Sequence, residues 1–247
     1  MEPIYSQEFY ISEATVDRFG RLKPSMLLYF AQEAAGRHFD LLQVDHDAME
    51  RNHLFWAIIR NRVQITRLPR IGETITVQTW PMPTTRTAYP RSMIAYDSKG
   101  QELFRSISLW VLMDLNTRAM VLPGKSGITV TGTLRGNELA APGSILPKVL
   151  ENSIRRTVFY SQLDRNGHMN NTRYLDWVED LLPSAFHAGH SPREFTICYL
   201  SEATEGQQID LTWQVFEGNC LQVDAHRTRT NDPARYDRVF SLQMLYE

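Results

Sequence analysis

The residues best suited to chemistry lie in one short run, from Leu163 to Trp177. Asp164, Asn166 and His168 occupy alternate positions in this run, just before a pattern typical of an amphipathic helix. A carboxylate, a carboxamide and an imidazole can activate a water molecule, orient it and stabilise a developing oxyanion. The unsatisfied N–H groups at a helix start favour the same oxyanion. The sequence therefore predicts a catalytic site here.

This run resembles the catalytic segment of acyl-ACP thioesterases, the enzymes that release fatty acids from acyl carrier protein (ACP). The family motif is an Asp-x-Asn-x-His run, then an Asn-Asn pair, then Tyr and Trp on a helix. The matching positions are Asp164, Asn166, His168, Asn170, Asn171, Tyr174 and Trp177. The resemblance implies a bacterial relative of the plant enzymes, which hydrolyses fatty acyl-ACP to free fatty acid and holo-ACP.

Glu202 is the fourth candidate catalytic residue, at the end of the strand-like segment that follows the second helix. The resemblance implies a Glu-Cys pair at this place in the plant enzymes, but here Ala203 replaces the cysteine, which excludes a thiol nucleophile. The chain also lacks a Gly-x-Ser-x-Gly elbow, which disfavours a serine hydrolase. A carboxylate route through Asp164 or Glu202 remains, as nucleophile or as general base, and Glu205 is a rival acid.

Each catalytic candidate also has a purely structural interpretation. Asp164 can close an Asx-turn, and Asn166 tolerates a positive φ in a loop. His168 can bond to the backbone at the helix entry, and Glu202 can be an exposed acid at the end of a strand. These interpretations stay open at the level of sequence.

The candidate substrate-binding residues have structural alternatives as well. Asn170 is a good helix N-cap, and aromatic residues at the spacing of Tyr174 and Trp177 are typical of a core. Buried aromatic side chains also suit an acyl chain, so these three residues are candidates for binding it. In the first half of the chain the candidate lining residues are Leu27, Phe30 and Trp56.

An internal repeat links the two halves of the chain. Asp17-Arg-Phe-Gly-Arg-Leu22 matches Asp164-Arg-Asn-Gly-His-Met169 in its Asp, Arg and Gly residues. The first copy lacks the carboxamide and the imidazole, because Phe19 and Arg21 take their places. This repeat predicts a duplication in which the second half carries the chemistry and the first mainly binds the acyl chain.

Each half of the chain has the pattern of a strand, a helix and then an antiparallel meander. The helices are predicted to begin near Pro24 and near Asn170 or Asn171. Alternating apolar residues mark the strands. The predicted strands are Glu8–Ile11, Phe55–Thr66, Glu73–Trp80, Arg86–Tyr96 and Leu103–Asp114, then Thr157–Tyr160, Phe195–Ser201, Gln207–Phe216, Cys220–Thr228 and Arg238–Tyr246.

A long helix wrapped by an antiparallel sheet is the hotdog arrangement, and the family resemblance implies the same. We therefore predict an α+β double hotdog with two tandem repeats. The N-terminal hotdog spans 1–120 and is the acyl-binding half. A linker rich in Gly and Pro spans 121–150, and the catalytic C-terminal hotdog spans 151–247.

Composition narrows the class of protein. The formal net charge of −2 over 247 residues gives no polycation signal, so no nucleic-acid partner is expected. No stretch approaches the roughly 20 apolar residues of a membrane span. The first residues resemble neither a signal peptide nor a plastid transit peptide, and two cysteines fit a reducing compartment. We expect a cytoplasmic protein that is a monomer or a homodimer.

Neither a cofactor nor a metal is predicted. Asp45-His46-Asp47 and the pair His187 and His190 resemble metal ligands only superficially, because neither gives a full ligand set at a known spacing. The expected partner is acyl carrier protein with a fatty acyl chain. The alternatives are an acyl-CoA thioesterase of the same fold and a non-catalytic acyl-binding hotdog protein.

Overall fold

The computed structural model describes residues 3–229 and 232–247, and the chain forms two compact units that divide between Pro142 and Gly143. Each unit combines an antiparallel sheet with helices, of which only α1 in the first unit is long, and this confirms the predicted α+β class. No helix in these described ranges is both long and apolar enough to cross a membrane.

The first unit begins with a strand and a long helix. Its strands are β1 (Tyr5–Tyr10), β2 (Leu54–Ile65), β3 (Thr74–Pro81), β4 (Tyr89–Tyr96), β5 (Glu102–Asp114) and β6 (Met120–Val121). Its helices are α1 (Pro24–Leu41), α2 (His46–Arg51) and α3 (Pro123–Ser126). The sheet order is β1-β3-β4-β5-β2, with β6 added to β5, and all these pairs are antiparallel.

Helix α1 begins at Pro24, as predicted, because proline suits the first helical turn. Its apolar side is buried and includes Leu27, Phe30 and Ala34. Phe30 stacks on Phe9 of β1 with the ring centroids 4.4 Å apart. The helix is thus fixed to its own sheet by its buried apolar side.

The second unit repeats this order with shorter helices. Its strands are β7 (Asn152–Thr157), β8 (Pro192–Tyr199), β9 (Gln208–Phe216), β10 (Cys220–Arg229) and β11 (Asp232–Tyr246). Its helices are α4 (Arg173–Glu179) and α5 (Ser184–Gly189). The sheet order is β8-β11-β10-β9-β7, again antiparallel.

Two details of the second unit differ from the prediction. The predicted strand Thr157–Tyr160 is displaced, because β7 ends at Thr157 and Tyr160 begins a short 3-10 turn. Helix α4 begins at Arg173 rather than near Asn170, because the asparagine side chain caps the turn that precedes the helix. Pro183 then separates α4 from α5, since proline cannot donate a helical hydrogen bond.

The irregular segment between α3 and β7 is divided between the two units, and each part packs on the sheet of its own unit. In the first unit the Trp80 indole N–H donates to Glu138 at 3.3 Å. In the second unit the Gln222 side chain donates to the main-chain oxygen of Leu146 at 3.0 Å. The domain boundaries 1–120, 121–150 and 151–247 stay a prediction.

Candidate active site

A tight turn at 164–169 presents the three predicted polar groups. Asp164 Oδ1 accepts the main-chain N–H groups of Asn166 at 2.8 Å and His168 at 3.1 Å. The Asp164 N–H donates to the His168 carbonyl oxygen at 2.7 Å. Gly167 has φ of +77°, a left-handed conformation that favours glycine. Asp164 therefore closes an Asx-turn, and one of its carboxylate oxygens is committed to that role.

The first unit contains the same turn without the same chemistry. Asp17 Oδ1 accepts the N–H groups of Phe19 at 2.8 Å and Arg21 at 2.9 Å, and Gly20 has φ of +70°. The Arg21 guanidinium also pairs with Asp17 Oδ2 at 2.9 Å. The turn thus requires the aspartate and the glycine, whereas the carboxamide and the imidazole of the second copy are not needed to form it.

A second loop brings an acid to the turn. The Met169 N–H donates to the Ala203 carbonyl oxygen at 2.8 Å, and His168 forms an isolated β-bridge with Thr204. This places His168 Nε2 3.4 Å from Glu202 Oε2. The histidine side chain is 19% exposed and the glutamate side chain 43% exposed. Solvent therefore reaches this imidazole–carboxylate pair, which hydrolysis by water would require.

The corresponding loop of the first unit has no acid at this position. The Leu22 N–H donates to the Pro69 carbonyl oxygen at 2.8 Å, and Arg21 bridges Arg70. The residue before Pro69 is Leu68, which is buried. Both components of the pair, the imidazole and the carboxylate, are therefore present only in the second copy of this arrangement.

Arg227, from β10, holds the loop that carries Glu202. Its Nη1 donates to the Glu202 main-chain oxygen at 2.8 Å and to Gln207 Oε1 at 2.7 Å. Gln207 Oε1 also accepts the Thr204 N–H at 3.1 Å. Sequence reasoning missed Arg227, because no local motif marks it and its contact depends on where β10 lies in the sheet.

Tyr174 is buried at the start of α4, close enough to the charged groups for them to act on it. Burial raises the pKa of its hydroxyl well above the ordinary value, and the negative charges of Asp164 and Glu202 raise this pKa further, while Arg227 opposes them. The Tyr174 ring also packs edge-on against Phe240 with centroids 4.9 Å apart. Tyr174 is therefore a neutral hydroxyl at neutral pH.

The remaining candidates of the second unit have clear structural contacts. Asn166 is exposed at the tip of the turn. Asn170 Oδ1 accepts the Thr172 N–H at 3.0 Å and the Thr172 hydroxyl at 2.9 Å. Trp177 is buried and packs edge-on against Tyr174, with ring centroids 6.2 Å apart. Substrate binding by Asn170, Tyr174 and Trp177 stays a prediction.

The lining residues predicted in the first half lie in the interior of the first unit. Leu27 and Phe30 are buried, and Trp56 is half-buried. The Trp56 ring stacks on Phe39 at a centroid distance of 5.1 Å, and its indole N–H donates to the Val44 carbonyl oxygen at 2.8 Å. Acyl binding by Leu27, Phe30 and Trp56 stays a prediction.

The structure changes the first of the two groups that resemble metal ligands in the sequence. Asp45 caps α2 by accepting the Ala48 N–H at 2.7 Å, and Glu50 takes its place in the cluster. His46, Asp47 and Glu50 gather on α2 with ligand atoms within 4.8 Å of one another, an arrangement common among surface acids without a metal. His187 Nε2 and His190 Nδ1 lie 3.0 and 2.9 Å from main-chain oxygens. The expectation of a site without a metal stays a prediction.

The chain matches two family models in succession. The acyl-ACP thioesterase N-terminal domain matches residues 2–122, and the acyl-ACP thioesterase C-terminal domain matches residues 149–238. A chloroplastic palmitoyl-acyl carrier protein thioesterase of Cuphea hookeriana is 26% identical over 73% of this chain and 47% of its own length. A chloroplastic dodecanoyl-[acyl-carrier-protein] hydrolase of Cinnamomum camphora is 28% identical over 70% of this chain and 49% of its own length. The chain spans about half the length of these curated relatives.

Solved structures share the fold along the whole chain. The crystal structure of an acyl-ACP thioesterase from Bacteroides thetaiotaomicron has a TM-score of 0.88 and 23% identity, covering 99% of this chain and 98% of its own. The 12:0-ACP thioesterase from Umbellularia californica has a TM-score of 0.84 and 21% identity, covering 100% of this chain and 98% of its own. At these identities the likeness establishes the fold, and the predicted double hotdog is confirmed.

Proposed function

Because this chain belongs to the acyl-ACP thioesterase family, we propose that it is a hydrolase that cleaves the thioester of fatty acyl-ACP to free fatty acid and holo-ACP. One observation carries the proposal: His168 Nε2 lies 3.4 Å from the Glu202 carboxylate, beside the turn that Asp164 closes. The counterpart in the first unit keeps the turn and has neither group. A purely structural role for the pair would not explain this difference.

The proposed mechanism is general-base hydrolysis. The water oxygen bonds to the thioester carbonyl carbon while its proton passes to Glu202, which His168 orients. The exposed Asn166 carboxamide donates to the oxyanion that forms. The C–S bond then breaks, and the same proton is returned through His168 to the departing thiolate. The products are a carboxylic acid and a free thiol, so atoms and charge balance.

Glu202 is a better general base than Asp164 on the geometry. Asp164 Oδ1 already accepts two main-chain N–H groups, and Asp17 does the same in a turn that lacks the other polar groups. The Asp164 oxygen that holds the turn is therefore already engaged by two N–H groups. We assign Asp164 to positioning Asn166 and His168.

The decisive experiment measures free-thiol release from saturated and unsaturated acyl-ACP of C8 to C18, with matched acyl-CoA substrates. Release from acyl-ACP well above acyl-CoA is expected, and the panel then gives the chain-length preference. Release from acyl-CoA alone would make the protein an acyl-CoA thioesterase. Acyl binding without release, in folded protein, would make it a non-catalytic binding protein. A cytoplasmic location and a monomeric or homodimeric state also belong to this proposal.

A further inference from the structure

Arg91, on β4 of the first unit, is a buried cation, and three of its five N–H donors have no partner among the described residues. It is 3% exposed, and its Nη1 lies 3.2 Å from His38 Nδ1 and 3.2 Å from Thr79 Oγ1. Its Cζ lies 4.5 Å from the centroid of the Phe39 ring. Nε and Nη2 are buried and have no hydrogen-bond partner among the residues that the structure describes. Buried donors and buried charges normally have partners, so Nε and Nη2 of Arg91 are suited to bind a ligand.

Nε and Nη2 form one edge of the guanidinium. Two other arginines of this protein bind a carboxylate through the same edge. Arg155 uses Nε and Nη2 to hold the two carboxylate oxygens of Asp210, at 2.6 and 2.9 Å. Arg105 holds Glu102 through the same two nitrogens. This edge is a planar fork that matches a two-oxygen acceptor. Arg91 presents the same fork without the carboxylate.

The surroundings of the fork are aromatic. Phe39, over which the guanidinium lies, stacks on Trp56 and packs edge-on against Trp110 at a centroid distance of 5.3 Å. Burial is the cause that lowers the pKa of Arg91, to about 9, so the group remains charged at neutral pH. A negatively charged group with an apolar body fits both the fork and these rings.

We propose that the interior of the first unit contains a binding site for an apolar carboxylate, whose two oxygens bind Nε and Nη2 of Arg91. The carboxylate satisfies both donors and compensates the buried charge, and the aromatic rings contact the apolar body. A free fatty acid has this chemistry, as does an acyl chain that ends in a second carboxylate. A free fatty acid is also the product of the proposed reaction, and this last link alone rests on the proposed function.

Binding of sodium dodecanoate and of dodecan-1-ol, measured by calorimetry, tests the site. Wild-type protein should bind dodecanoate at least tenfold more tightly than the variant Arg91→Met does, whereas dodecanol should not distinguish the two. Arg118→Met is the matched control, because Arg118 lies over the Phe55 ring of the same unit at 4.5 Å but is exposed. Equal dodecanoate affinity in wild-type protein and Arg91→Met, or no binding, would overturn the proposal.

A spectroscopic readout covers the case in which Arg91→Met does not fold. Arg91→Lys keeps the charge and removes the fork, so it should weaken dodecanoate binding as well. In wild-type protein the carbon-13 signal of carboxyl-labelled dodecanoate should titrate at a lower pH when bound than when free, because a guanidinium favours the ionised form. An unshifted titration of the bound ligand would contradict the fork.

Two kinetic arms identify the source of the carboxylate. If the site takes the free product, dodecanoate inhibits thiol release from dodecanoyl-ACP in wild-type protein and much less in Arg91→Met. If it takes a second carboxylate on the acyl chain, wild-type protein prefers dodecanedioyl-ACP and the variant loses that preference. The calorimetry is independent of catalysis, so a failure of the proposed hydrolysis would not be mistaken for a failure of this site.

Discussion

Nη1 of Arg227 donates to the main-chain oxygen of Glu202 at 2.8 Å. An arginine of β10 thereby fixes the loop whose acid faces His168, and the contact reaches the backbone of that loop. The position of the acid therefore depends on a strand remote in sequence from both the turn and the loop.

Replacing Arg227 should impair turnover through positioning. Arg227→Met removes the donors to Glu202 and Gln207, and we expect kcat to fall about tenfold to a hundredfold with KM little changed, because small displacements of catalytic groups are costly. Arg227→Lys, which keeps a donor, should recover part of the loss. Arg173→Met is the control, since Arg173 is exposed and pairs with Asp176 at 3.1 Å. An equal loss in that control would refute the positioning role.

Glu202→Gln should reduce kcat by about 10²- to 10⁴-fold, the usual contribution of a general base. The melting temperature should change little, because the side chain is 43% exposed. Glu205→Gln offers a matched control three residues along the chain, also exposed and without a place in the proposed mechanism. If Glu205→Gln proved the more damaging change, the assignment of the base would move to Glu205.

The residues of the first copy of the turn can replace the proposed catalytic side chains of the second. The double variant Asn166→Phe with His168→Arg copies Phe19 and Arg21, which form the same turn around Asp17. We expect a folded protein with an unchanged melting temperature and no detectable thiol release. Circular dichroism and the thiol assay would check this, and substantial turnover in the double variant would exclude both side chains from the mechanism.

Asp164→Ala and Asp17→Ala form a matched pair. Each removes a carboxylate that accepts two main-chain N–H groups, so each should lower the free energy of unfolding by about 1–2 kcal/mol, as the loss of a cap does. Denaturant titration measures this cost, and only Asp164→Ala should also abolish turnover. Full activity in Asp164→Ala at a temperature where it remains folded would rule out its role in positioning.

Because the charge of Arg91 is buried, the free energy of unfolding should rise with pH in the alkaline range. Its pKa is about 9 in the folded protein against an ordinary value of 12.5, so the unfolded chain binds the proton more tightly. Below about pH 9 the buried charge therefore lowers the free energy of unfolding by its full amount. This cost decreases as the pH rises toward 12.5. Arg91→Met should be at least as stable as wild-type protein at pH 8, and its advantage should shrink by pH 10.5. A constant difference in melting temperature would contradict this.

Local signals in the sequence located much of the fold. Pro24 marked the start of α1, and apolar alternation found most strands of the two meanders. Strand β7 was misplaced because it pairs with β9 along one side only and its residues from Asn152 to Arg155 are exposed, which leaves no alternation to detect. The apolar residues just after it gave the misleading signal.

In the candidate site, too, local patterns predicted some residues and missed those that only the fold brings together. The turn was visible in the sequence because Asp164, Asn166 and His168 lie within five residues of one another and have a degenerate copy. The neighbouring Glu202 was found only through the family resemblance. Arg227 was not found, because its contact with the loop arises from strand pairing, which no local pattern records.

The duplicated turn has a consequence for how such a protein can evolve. Its backbone geometry is secured by one aspartate and one glycine in each copy, so the turn forms equally with Phe19 and Arg21 or with Asn166 and His168. An ancestor with two equivalent copies can therefore lose or gain a reactive centre in either half by a few substitutions. The same tolerance makes the first copy of the turn a scaffold on which a second activity could be selected.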